Sequence, residues 1–157
     1  MTRTLATSPV TGLQVRDERR AAAAHLLRRT SLVVDPERLE RLADQDHDGA
    51  VADVLSHVGP DGTELELPPA GDDAAETISW WLDRLNHDDS GLTDRMAWFW
   101  HNLLTSSRHK VSDHRLVADQ LDHLRRSGRG DFRSLLHGFV TSGALLDYLD
   151  GSGSTAS

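Results

Sequence analysis

The chain contains no cysteine, which removes disulfides, thiolate zinc sites and a cysteine nucleophile together. Aromatic residues are scarce at 5%. Basic charge is also in short supply, with 17 Lys and Arg against 25 Asp and Glu and a formal net charge of −8. A field of that sign repels polyphosphate and argues against nucleic acid or an anionic membrane as a general partner. No apolar run approaches the ~20 residues that a membrane helix needs. The opening MTRTLATSPVTGLQVRDERR carries no apolar core of a secretory signal, so a cytoplasmic, soluble protein is the default expectation. Strand-like alternation and internal repeats are missing too, which leaves helices to build the core.

What is present fits one domain of 157 residues, long enough to bury a core. The expected organisation is a flexible arm over residues 1–15, a helical domain over 16–150 and a flexible tail over 151–157. A helix starts near Asp17 and runs to Thr30, rich in alanine and arginine. Asp35-Pro36-Glu37 marks the next start: an N-cap acceptor, proline at the first helical position and an acid at the positive end. Leu39 and Leu42 form its inner face, and Val51, Val54 and Leu55 that of the helix after it. Residues 58–75 crowd glycine, proline and acids into one long loop. Further helices place Ile78, Trp81, Leu82 and Leu85 inward, then Leu116, Val117, Gln120, Leu121 and Leu124, then Phe132, Leu135, Leu136, Phe139 and Val140. A last short helix carries Leu145, Leu146, Tyr148 and Leu149. The expected fold is all-α, an irregular bundle of about seven helices.

The densest chemistry lies in residues 92–111. Leu92, Met96, Phe99, Trp100, Leu103 and Leu104 recur at a spacing of three and four, the stripe of a core-facing helix. That makes this helix the expected spine of the bundle. Its other side gathers Trp98, His101, Asn102 and Thr105. These four, with the buried amide expected at Gln120, are the candidate binding residues, and His101 is the candidate general base.

Two acidic clusters mimic metal sites. Asp44, Asp46, Asp48 and Gly49 open like a calcium loop, but the position of the bidentate glutamate holds Leu55, so the acids read as helix-start residues. His87-Asp88-Asp89 are consecutive and cannot easily converge on one ion; turn chemistry explains them. No two histidines share the helical spacing of a metal face. Neither metal nor cofactor is expected.

The runs Asp94-Arg95-Met96, Phe99-Trp100-His101-Asn102, Thr105-Ser106 and Lys110-Val111 resemble the bacterial family called domain of unknown function 1800. AAAAHLLRRT, DPERLERLA, GAVADVL, Gln120, GDFRSLL and LLDYLDG resemble it in the same order, so the likeness runs from Ala21 to Gly151. Where the family carries a second histidine two places after His101, this chain has Leu103. The family also continues well past LDG, which implies that this chain is an N-terminal portion of a longer domain. The resemblance attaches no reaction; it implies members that are often exported, with a surface or envelope accessory role.

Two functions follow as expectations. The first is a binding or accessory role, with a protein partner or self-association through the C-terminal apolar helix, since helices packing on Leu145, Leu146, Tyr148 and Leu149 would be missing. The alternative is part of a hydrolase-like enzyme using His101 as general base. Against the enzyme, no Ser, Cys or carboxylate stands at a fixed spacing that pairs a nucleophile with a base.

Overall fold

Helix starts in this chain are written in short-range side-chain chemistry, and a computed structural model of the protein shows how those helices pack. It describes residues 9–56, 74–86, 91–104, 106–107 and 109–151. Residues 58–73 of the expected loop, the His87-Asp88-Asp89 turn and Thr105 lie outside the described residues. Among the described residues there are eight helices and no strand: α1 (Pro9–Thr30), α2 (Pro36–Ala43), α3 (His47–Ser56), α4 (Ala74–Leu85), α5 (Leu92–Leu103), α6 (His114–Ser127), α7 (Phe132–Val140) and α8 (Gly143–Tyr148). The fold is all-α. No helix among the described residues is long and apolar enough to cross a membrane.

The caps are local and strong. Asp35 accepts from the Glu37 and Arg38 N–H groups, Asp113 from Arg115, Asp131 from Ser134 and Ser142 from Leu145. Each satisfies a backbone donor that the first helical turn leaves open, worth about 0.5–2 kcal/mol. One acid of the calcium-like stretch behaves the same way, Asp46 Oδ1 accepting from the Gly49 N–H at 2.8 Å at the start of α3; Asp48 lies in the first turn of that helix, while Asp44 closes α2. One start differs from expectation. α1 begins at Pro9, before the expected Asp17, with proline at the first helical position.

The bundle has two parts. Ala23 and Leu27 of α1 pack with Leu39, Leu42, Ala43, Ala50 and Val54 of α2 and α3. α6 then gathers α4, α5, α7 and α8 around itself. Trp81, Leu85, Ala97, Val117, Leu121 and Ala144 form one cluster on it, and Leu124, Leu135 and Phe139 another. Leu32, just past α1, packs against the α4–α6 cluster and joins the two parts. Arg129 joins them again, donating from Nη2 to the Leu55 carbonyl at 2.6 Å and from Nη1 to Thr93 Oγ1 at 3.4 Å.

The expected spine is therefore corrected: α6, not α5, is the helix on which the others pack. The expected inner stripe of α5 is corrected as well. Phe99 and Leu103 are 52% and 63% exposed, and the buried face runs through Thr93, Asp94 and Ala97. The physical cause is a charge that the apolar periodicity does not register. Asp94 accepts from Arg84 Nε and Nη2 at 3.1 and 2.7 Å and from Arg125 Nε at 3.0 Å, which fastens α4, α5 and α6 to one carboxylate. Rotating Phe99 and Leu103 inward would carry Asp94 away from both arginines. Leu55, Ile78, Leu82, Phe132 and Val140, also expected inside, are exposed. In α8, Leu145 and Tyr148 pack against the core, while Leu146 and Leu149 are 44% and 64% exposed.

Candidate functional site

A cavity of about 320 Å³ opens between α4, the end of α5, the 106–109 turn and the start of α6. Its floor is apolar because the inner faces of two helices meet there, with Trp81 from α4 and Val117 and Leu121 from α6, and the exposed Ile78 and Leu82 of α4 complete the apolar lining. Its polar groups come from different elements. Thr77 belongs to α4, His101 to α5, Ser106, Ser107 and His109 to the turn, and His114 to the first position of α6. A mostly apolar concavity with a few converging polar groups is the usual form of a small-molecule site, and this volume is at the low end of the ~300–1,000 Å³ such sites occupy.

Burial sets the electrostatics of the deepest imidazole. Desolvation lowers the His101 pKa from its ordinary value, so the ring is held in its neutral form at neutral pH. Its edge lies by the Trp98 indole, with ring centroids 6.3 Å apart. The Trp81 ring lines the cavity, while its Nε1–H is buried away from solvent and meets no acceptor among the described residues. Such a group costs about 1–3 kcal/mol while unmatched.

The serines are tied to the scaffold. Ser106 Oγ donates to Gln120 Oε1, Gln120 Nε2 donates to Ser142 Oγ at 2.8 Å, and Ser142 Oγ in turn accepts from the Leu145 N–H at 3.3 Å. This chain explains an amide on the inner face of α6: Gln120 is buried because both ends of its side chain are matched, by the cavity turn and by the cap of α8. Ser107 Oγ accepts from the His109 N–H at 3.4 Å and shapes the turn itself.

The candidate residues take different places in the fold. His101 lines the cavity. Trp98 is exposed beside it, and Asn102 is exposed with Nδ2 donating to the Trp98 carbonyl at 2.8 Å, a bond within its own helix. Gln120 stands behind the cavity wall and reaches it through Ser106. Thr105 lies outside the described residues. Sequence reasoning missed Trp81, Ser107, His109 and His114 as partners of His101, since the shared feature is a cavity made by three helices and a turn and no linear spacing encodes it. Among the described residues, no group of three or more His, Asp or Glu side chains is arranged to share one metal ion.

Comparison with curated proteins and with solved structures gives no match to this chain. The family comparison does: the model for proteins of unknown function named DUF1800 matches residues 25–157. That span takes in all of α2 to α8, the cavity and the Asp94 cluster. The chain belongs to the DUF1800 family.

Proposed function

We propose that this chain is a binding module with an accessory rather than a catalytic role, and that its ligand site is the cavity between α4, α5 and α6. One observation carries the reading: an apolar floor of two-ring size is rimmed by His101, His109 and His114. The size follows from comparison with the ~150 Å³ apolar cavity that holds one benzene. The serine chemistry favours binding over catalysis, because the Ser106 hydroxyl donates to Gln120 and not to an imidazole. The test is a fragment titration followed by backbone and indole NMR signals. Bound two-ring fragments are expected to shift the signals of Trp81, His101 and Ser107 together. A screen of such fragments at millimolar concentration that moves none of them overturns the reading.

One observation favours the hydrolase-like alternative: burial holds His101 neutral, the form a general base needs. It predicts turnover of p-nitrophenyl acetate that is lost in His101→Gln while the fold is retained. Equal rates in the parent and the variant remove it.

We also propose self-association through α8, on the exposure of Leu146 and Leu149 beside the packed Leu145 and Tyr148. Sedimentation velocity should show a concentration-dependent dimer that the Leu146→Glu/Leu149→Glu double variant abolishes. A monomer at all concentrations contradicts it.

A further inference from the structure

We infer that the ligand of this cavity is an organic carboxylate with a two-ring apolar body, an inference that rests on the binding reading above. The chain carries 25 acidic side chains, yet among the described residues none lines the cavity, and every ionisable side chain that does is an imidazole. Of the acids next in sequence to a lining residue, Asp113 caps α6, accepting from the Arg115 N–H at 2.9 Å, and Asp122 pairs with Arg126 at 2.7 Å.

The second strand is donor supply. His114 sits at the first position of the fourteen-residue α6, where the aligned peptide dipoles present their positive end. An imidazole there donates an N–H when neutral and pairs with an anion when protonated. An amine offers only donors, and a hydrocarbon offers neither donor nor acceptor. A carboxylate offers acceptors to the imidazole N–H groups and a charge that favours the positive end of α6.

The third strand is shape. The floor built by Trp81, Val117 and Leu121 is apolar, and imidazoles from the turn and from α6 stand on its rim. A rigid aromatic acid places its rings on the floor and its charge at the rim with little ordering cost.

The experiment compares three probes of one skeleton: 2-naphthoate, 2-naphthalenemethanol and 2-naphthylmethylammonium, titrated calorimetrically against the full chain at low salt. The carboxylate is expected to bind at least tenfold more tightly than the alcohol, and the ammonium more weakly still. His109→Gln/His114→Gln should erase that preference while leaving alcohol binding in place, with helicity checked by circular dichroism. Equal binding of all three probes, or tightest binding of the ammonium, overturns the carboxylate inference and leaves the cavity a binding site. Failure of all three to bind, with the fold intact, overturns the binding reading and this inference with it.

Discussion

Asp94 holds one carboxylate between two guanidinium groups, and neither its own side chain nor that of Arg125 sees appreciable solvent, at 0% and 1% exposure. Paired buried charges are not strong evidence of net stability, because desolvation cancels much of their attraction. Removing one partner is a different matter, since it strands the others. Asp94→Asn, nearly isosteric, is expected to destabilise the protein by about 3–5 kcal/mol in urea denaturation. A loss below about 1 kcal/mol would mean that water reaches the arginines. His101 yields a pH prediction of definite sign. Its folded pKa is depressed by burial below the ordinary 6.5, so the folded chain binds fewer protons there than the unfolded one. The stability this residue contributes is complete above 6.5 and is lost as pH falls through the depressed folded value. The melting temperature should fall across that window, and His101→Gln should flatten the fall. Identical profiles for the two proteins refute it.

Between elements, α6 and α7 pack tightly at Gly138. A Cβ there would run into the His123 ring, whose Nε2 is held 3.0 Å from the Leu135 carbonyl and whose Nδ1 lies 3.4 Å from Ser127 Oγ. Glycine to alanine in a helix is ordinarily favourable by about 1 kcal/mol, while overpacking costs about 1–3 kcal/mol. Because the ring is held at both nitrogens, overpacking should win. Gly138→Ala is expected to lower the urea midpoint, and His123→Ala in the same chain to recover part of the loss. A midpoint that rises on Gly138→Ala alone would show that the two helices can separate freely. The α5–α7 contact follows the same logic of fixed aromatic geometry. Trp100 stacks on Phe132 at 5.6 Å between centroids and donates its Nε1–H to the Gly128 carbonyl at 2.7 Å. That bond explains how Trp100 keeps a place against the core while Phe99, one residue earlier, does not.

Over the whole molecule, the α1–α3 cluster meets the α6-centred one through Leu32 and Arg129. Arg129→Ala removes two hydrogen bonds, a loss of about 0.5–1.5 kcal/mol each. Amide exchange at the end of α3 should quicken while α6 keeps its protection; equal acceleration everywhere would make the two parts a single cooperative unit. At this scale the limits of the sequence are also visible. Asp35-Pro36, Asp113, Asp131 and Ser142 announce their helices because capping is settled within four residues. The inward faces are settled by partners far along the chain, so a spacing rule picked Phe99 and Leu103 where Asp94 prevails. Arg125, close to the end of α6, is the more deeply buried of that acid's two arginine partners. His101 was legible as a residue to watch, but its companions in the cavity arrive from α4, α6 and a turn.

The outer stretch of α1 has a practical consequence. Every residue from Gly12 to Ala22 is exposed, and the buried positions of that helix begin at Ala23. A fluorophore or spin label at Leu13 would therefore ride on a regular helical rod without disturbing any packed side chain. Its distance to a second label on α7 would report how the two halves of the protein lie relative to one another in solution.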